Sequence, residues 1–264
     1  MNKMTKPKVA IHSITGCAGC QLTIYFVKDL LLKLLEKIDL VAAPMLKEKN
    51  NAGPYDVCFM EGLVASKDDL EHLKKIREQS KILVALGTCA THGNVPGIKN
   101  SYSDSTVVES RVYKNLNLKE QIMPLKPAPI DAHVKVDYYI SGCPPEEKEI
   151  LKFITDLLLG KKPVIYDEPV CVECSLKEND CLLERGEECL GPMIRGGCDA
   201  LCPSVNHGCT GCHGPLSDAN ILQGIKLLEQ NGVDIKLIKK RFHKYSYDKF
   251  SELEEQAKKI KRKD

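Results

Sequence analysis

Through the first half of the chain, short apolar runs alternate with longer stretches in which apolar residues recur at helical spacing. Val9–Ile14 is a compact apolar run, and Leu22–Leu35 follows with an apolar stripe and Lys28, Asp29 and Lys33 on the opposite face. Asp39–Ala43 and Asp56–Met60 are further strand-like runs, the second closed by Glu61-Gly62. Asp68–Gln79 has the charged, amphipathic pattern of a surface helix, and Lys81–Leu86 is a buried-strand run that stops at Gly87. Val134–Ile140 is the last strand candidate and Glu146–Leu159 the last helix of this half. Such alternation predicts an α/β fold: a doubly wound parallel sheet with helices on both faces.

The pattern then changes. Gly160-Lys161-Lys162-Pro163 closes the helix, and beyond it the apolar periodicity disappears until Cys212. Two domains are therefore expected, residues 1–162 and a small, loop-rich domain over residues 163–264. The second holds so little apolar material before Cys212 that bound metal is expected to organise it. Leu216–Glu229 and Ile235–Phe242 read as terminal helices, and the basic end Lys258–Asp264 as a solvated, frayed tail.

A formal net charge of +2 over 264 residues gives no footprint for nucleic acid. The segment Met1–Lys8 lacks the apolar core of an export signal, and the longest apolar run is broken by charges, so no membrane span and a cytoplasmic location are expected. That compartment bears on the thirteen cysteines, an odd number. A reducing environment and a chain long enough for a core both argue against a disulfide framework.

Mapped onto the predicted elements, Cys17 and Cys20 follow the first strand, Cys89 follows Lys81–Leu86, and Cys143 follows Val134–Ile140. The carboxyl edge of an open α/β sheet is where ligands bind, so these four thiols, drawn from three loops, are expected to form one tetrathiolate site. Gly16, Gly19, Gly87 and Gly142 accompany the loops and would let a bulky group approach the backbone. A thioredoxin-like role for Cys17-x2-Cys20 alone would leave Cys89 and Cys143 unexplained. Cys58, inside a strand and without a partner motif, reads as a small core residue. The remaining eight divide by spacing into Cys171-x2-Cys174-x6-Cys181-x7-Cys189 and Cys198-x3-Cys202-x6-Cys209-x2-Cys212. Zinc takes four thiolates, but structural zinc usually uses two Cys-x2-Cys pairs per site, whereas each set here has one. Cys143-Pro144 and Cys202-Pro203 repeat the Cys-Pro pairing of ferredoxin-type iron–sulfur sequences.

Together, "TGCAGCQ", "GTCATHG", "SGCPP" and an eight-cysteine cassette containing "CLGP" and "CTGC" resemble the small, electron-transfer subunit of NiFe hydrogenases. The likeness runs over about residues 8 to 215 and is greatest to the soluble sulfhydrogenase delta type. It implies a flavodoxin-like domain followed by a cluster-bearing one, with three 4Fe–4S clusters and no catalytic residue on this chain. Cys17, Cys20, Cys89 and Cys143 would hold the proximal cluster facing the large subunit. Cys198, Cys202, Cys209 and Cys212 would hold the medial cluster, and Cys171, Cys174, Cys181 and Cys189 the distal one. The small subunit of NADH–quinone oxidoreductases shares the proximal-cluster domain but lacks the cassette. The implied partners are the large subunit and a flavin or iron–sulfur acceptor subunit, either nicotinamide-linked or heterodisulfide-reductase-linked; a deazaflavin acceptor also occurs among cytoplasmic relatives. The short Cys174–Cys181 connection looks more like the nicotinamide-linked branch. The rival of a different class is a zinc-organised structural or regulatory module.

Other residues carry less. Gln21 stands where many relatives have an acid, so no role transfers to it. Glu61 reads equally as a hydrogen-bond acceptor at the sheet edge or as a solvated carboxylate. His92, three residues after Cys89, reads either as a hydrogen-bond donor to a cluster sulfur, which would raise its potential, or more simply as a surface histidine, and His207 and His213 are not needed as ligands because the cysteine count closes without them.

Overall fold

The computed structural model describes residues 6–27, 29–102, 111 and 124–261. By their contacts the residues divide into two compact units, Met1–Thr91 with Glu109–Ile165, and His92–Val108 with Tyr166–Asp264. The second unit thus draws on a segment, His92–Val108, that the sequence pattern leaves in the first half.

The first unit is built on five parallel strands: β1 (Lys8–Ser13), β2 (Asp39–Ala42), β3 (Tyr55–Glu61), β5 (Ser80–Leu86) and β7 (Tyr138–Ile140). Their spatial order is β2-β1-β3-β5-β7. With the small strands β4 (Val64–Ser66) and β6 (Pro124–Ala128) set aside, this is the 2-1-3-4-5 order of flavodoxin-like sheets, whose switch point lies between β1 and β3. Side chains alternate across β3. Val57 and Phe59 pack with Ile150, Phe153 and Ile154 on one face; Cys58 and Met60 pack with Leu73 and Ile76 on the other. Both faces are therefore covered, as the near-continuous apolar strands require.

Three elements differ from expectation. The predicted helix Leu22–Leu35 is two helices, α1 (Gly19–Tyr25) and α2 (Asp29–Lys37). Val27 between them is buried, so the chain leaves helical geometry to insert it in the core. Only Tyr138–Ile140 of the expected run Val134–Ile140 forms a strand. The Asp137 carboxylate accepts the Leu83 N–H at 2.8 Å and so occupies the position a neighbouring strand carbonyl would take. A two-stranded antiparallel sheet, β4 (Val64–Ser66) with β6 (Pro124–Ala128), was not anticipated. The helices α3 (Lys67–Gln79), α4 (Gly87–His92) and α5 (Glu147–Leu158) complete this unit's framework.

The second unit contains α6 (Val170–Leu176), α7 (Ile221–Gln230) and α8 (Ile235–Lys261). The cysteine-rich segment before Cys212 shares a core with the helices that follow it. Leu182, Leu183, Leu190, Met193 and Ile194 from the cysteine-rich loops pack with Ile221, Ile225 and Leu228 of α7 and with Ile238, Phe242 and Phe250 of α8. Ser246 departs from helical geometry (φ −153°, ψ 46°), and on either side of this bend Phe242 and Phe250 stack with centroids 3.6 Å apart. Helical structure continues through Lys261, into the segment expected to fray; the rest of that segment lies outside the described residues. Among the described residues no helix is long and apolar enough to cross a membrane.

Cys58 is wholly buried on β3, and burial pushes its thiol up to about 12. Cys58→Ala is expected to cost about 1 kcal/mol of packing, below the range for larger buried side chains. Metal content should be unchanged, whereas Cys89→Ala should lose metal; equal loss in both variants would overturn the count of twelve candidate ligands.

Candidate functional site: three groups of thiols

At the carboxyl edge of the sheet, the loop after β1 carries Cys17 and Cys20, α4 after β5 carries Cys89, and the loop after β7 carries Cys143. Hydrogen bonds lock these loops together. Asp69, whose side chain completes the capping box with Ser66 at the start of α3, also accepts from Thr15 N–H at 3.1 Å and the Thr15 hydroxyl at 2.8 Å. That fixes the chain two residues before Cys17. Glu61, at the end of β3, is 1% exposed and accepts the backbone N–H of Cys20 at 3.1 Å and of Gln21 at 3.3 Å. Of the two readings of Glu61, the structure supports the hydrogen-bond acceptor. Thr88 and Gly142 exchange two bonds, Thr88 N–H to the Gly142 carbonyl at 2.9 Å and Gly142 N–H to the Thr88 hydroxyl at 3.0 Å, joining the Cys89 and Cys143 segments.

Glycines keep space around the sulfurs. A Cβ on Gly87 would lie 2.2 Å from Cys20 Sγ, and one on Gly19 would lie 3.4 Å from Cys17 Sγ. Burial above all, and then Glu61, Cys89 and Cys143, push the Cys20 thiol far above its ordinary range. Such a group stays a neutral thiol unless a cation offsets its charge. Cys17 and Cys143 are exposed, Cys89 is half-buried and Cys20 is buried, so the group has one open side.

In the second unit, Cys171 and Cys174 stand three residues apart on α6 and therefore share a face. Burial first, and then Cys189, Cys174 and Cys181, raise Cys171 to about 12. Gly191 lies between two of these thiols; its missing Cβ would be 3.3 Å from Cys171 Sγ and 3.4 Å from Cys189 Sγ. Burial first, and then Cys189, Cys212 and Cys198, raise Cys209, so its thiol faces members of both sets, and Cys202 contributes to the rise at Cys198.

The two cassette sets are joined directly. Cys209 N–H donates to Cys189 Sγ at 3.3 Å, and Leu190 N–H donates to the Cys209 carbonyl at 3.1 Å. Glu173, on α6 between Cys171 and Cys174, accepts Gly197 N–H at 2.8 Å and Ala200 N–H at 3.1 Å, bracing the turn around Cys198. Asn179 donates to Cys174 Sγ at 3.6 Å and to the Ser204 hydroxyl at 3.1 Å. Sequence reasoning missed Asp69, Glu173 and Asn179. Only Asp69 had a local signal, the Ser-x-x-Asp capping box.

The histidines are now placed. His92 is half-buried: a Cβ on Gly214 would lie 2.6 Å from its ring, and burial first, then Arg195 and Lys249, lower it to about 3. His213 is buried, donates from Nδ1 to the Gly196 carbonyl at 2.8 Å, and is lowered to about 4 by burial and Arg195. His207 is exposed, its Nδ1 2.9 Å from the Gly208 carbonyl.

Soft thiolate donors in fours suit zinc or an iron–sulfur cluster. The residues present fit such a group, since each set has glycine-cleared space or amide donors beside its sulfurs. Among the described residues no three His, Cys, Asp or Glu side chains converge on a single-ion position.

Residues 17–157 match the family described as NADH ubiquinone oxidoreductase, 20 Kd subunit, a span that contains Cys17, Cys20, Cys89 and Cys143 and ends before Cys171. The chain is 40% identical to the sulfhydrogenase 2 subunit delta of Pyrococcus furiosus, over 84% of this chain and 92% of that one. It is 35% identical to a vhu subunit of the F420-non-reducing hydrogenase of Methanocaldococcus jannaschii, over 78% and 81%. A chain of an NAD+-reducing [NiFe]-hydrogenase in the H2-reduced state superposes with TM-score 0.56 and 32% identity, covering 61% of this chain and 96% of that one.

Proposed function

The chain belongs to this family, in the branch of hydrogenase small subunits of the sulfhydrogenase delta type, and from that premise we propose that its twelve grouped cysteines hold three 4Fe–4S clusters. It is a subunit of a hydrogenase complex with an electron-transfer role. The observation that carries the finer reading is the grouping itself. Cys89 and Cys143 act on Cys20, with Cys17 on the same loop as Cys20; Cys189, Cys174 and Cys181 act on Cys171; Cys202 acts on Cys198, and Cys212 and Cys198 act on Cys209 together with Cys189.

When bound, the clusters would supply one-electron carriers, and the chain's own part is to hold, insulate and tune them. Glu61 and the Thr88–Gly142 bonds fix the three loops of the first group, whose open side suits the large subunit of the complex. The amide of Cys209 and the side chain of Asn179 donate to sulfur, and such bonds help set a cluster's potential. The proposed order is proximal for the Cys17 set, medial for the Cys198 set and distal for the Cys171 set. The acceptor would be a flavin or iron–sulfur subunit, nicotinamide-linked or heterodisulfide-reductase-linked, in the cytoplasm.

A zinc-organised module is the competing reading. Four thiolates also suit a zinc ion at Zn–S bonds of about 2.3 Å, so metal and sulfide content separate the two readings. The purified complex is expected to absorb in the visible, to bleach on reduction and to release acid-labile sulfide. A colourless small subunit with stoichiometric zinc and no sulfide would sink the cluster reading.

A further inference from the structure

Glu173 sits on α6 between Cys171 and Cys174, yet its carboxylate reaches the other cassette set. Oε1 accepts Gly197 N–H at 2.8 Å, Oε2 accepts Ala200 N–H at 3.1 Å, and Oε2 lies 4.0 Å from Cys198 Sγ. Two amides clamp the half-buried group, so it cannot swing off the sulfur as an exposed side chain would. Its surroundings are close as well: a Cβ on Gly196 would lie 3.1 Å from Oε2 and 2.7 Å from Tyr166 Cε1.

Among the described residues Glu173 enters no ion pair, and Lys177, one helical turn further on, is paired with Asp199 at 3.6 Å. The negative charge therefore stays beside the sulfur. Its influence falls on one set. Burial first, with Glu173 and Cys202 after it, raises Cys198; burial first, then Glu173, Glu168 and Cys198, raise Tyr166. At Cys171 the groups that follow burial are Cys189, Cys174 and Cys181. The amides of Leu201 and Ala200 act on Cys198 in the opposite sense. Of these opposed influences, only the carboxylate is a side-chain charge that a substitution can remove with the backbone left intact.

We propose that Glu173 is a positioning residue that also holds down the reduction potential of the group formed by Cys198, Cys202, Cys209 and Cys212. The inference rests on the reading of that group as a cluster site and adds which side chain tunes it. The Cys198 thiol gives up its proton when it becomes a ligand, and the fixed carboxylate then faces a thiolate. Reduction adds an electron to the same centre. Net charge beside a cluster is one of the quantities that set its potential, and a fixed negative charge opposes the added electron. Salt screens such a partly buried pair much less than it screens charges on the open surface.

The test is a redox titration of the assembled complex followed by paramagnetic resonance. Glu173→Gln keeps the size of the side chain and an oxygen for one amide but removes the charge. In that variant the signal that Cys202→Ser abolishes should become easier to reduce. At a fixed solution potential its reduced-to-oxidised ratio should rise about tenfold, which is about 59 mV for one electron. The signal that Cys181→Ser abolishes should move less. Glu173→Asp, which retains the charge, should stay closer to wild type, and iron and sulfide should be at wild-type levels in both Glu173 variants. An unshifted potential in fully loaded Glu173→Gln would overturn the proposal, as would a shift confined to the Cys181-dependent signal. Iron lost from Glu173→Gln would make the carboxylate a brace alone and overturn it equally. A wild-type complex lacking iron and sulfide would instead remove the cluster reading beneath it.

Discussion

Gly87→Ala is expected to abolish metal binding at the sheet edge while sparing the cassette. Gly87 follows β5 with φ +83°, a left-handed conformation that costs an L-residue roughly 1–2 kcal/mol. The larger effect is steric. The new methyl would lie 2.2 Å from Cys20 Sγ and 3.4 Å from Cys20 Cβ, so the thiol must leave its place. Cys20 has little room to yield, being 6% exposed on α1 with its amide held by the Glu61 carboxylate. The variant should therefore lose one cluster's worth of iron and one paramagnetic signal, and H2-driven dye reduction should collapse. Gly97→Ala is the matched control, because no atom outside its immediate neighbours lies within 4 Å of that Cβ. Full iron in Gly87→Ala with a normal circular dichroism spectrum would remove Cys20 from the proposed ligands.

The parts of this molecule that sequence could reveal are those governed by local rules. Strand-then-helix alternation, the glycine-marked loops and the cysteine spacings lie within short windows, and they place the first group of thiols on the correct edge. The sheet order then puts Cys17, Cys20 and Glu61 at the β1/β3 switch point. Long-range contacts were not legible. The apolar repeat reads straight through residues 26–28, so nothing local reports that Val27 turns inward. Strand β6 contains Pro124 and Pro127, residues that argue against a strand unless it lies at an edge, and its partner β4 has only three residues. The core of the second unit escaped because its members are scattered among cysteines at no fixed period. They become a core only when α7 and α8 close over them. Glu61 and His92 were ambiguous for a related reason: the amides of Cys20 and Gln21 and the backbone of Gly214 are far away in sequence.

Gly208→Ala is expected to do the reverse of Gly87→Ala, damaging both cassette sites and sparing the sheet edge. A Cβ on Gly208 would lie 1.7 Å from the Glu188 carbonyl oxygen and 3.3 Å from Cys189 Cα, so the two backbone segments cross there with no space for a methyl. Overpacking of a well-filled site commonly costs about 1–3 kcal/mol, and here the obstacle is backbone, which cannot rotate away. Separating the segments breaks the bond from Cys209 N–H to Cys189 Sγ and the bond from Leu190 N–H to the Cys209 carbonyl. Cys189 belongs to one set and Cys209 to the other, and both are buried in the same apolar core. One methyl therefore acts on two sites, because the crossing is the joint between them. Iron should fall by two clusters' worth, against one for Gly87→Ala, with the remaining signal that of the sheet-edge group. Loss of a single cluster from Gly208→Ala, with the other cassette signal unaltered, would show the two sets to be independent and would refute the joint as their common support.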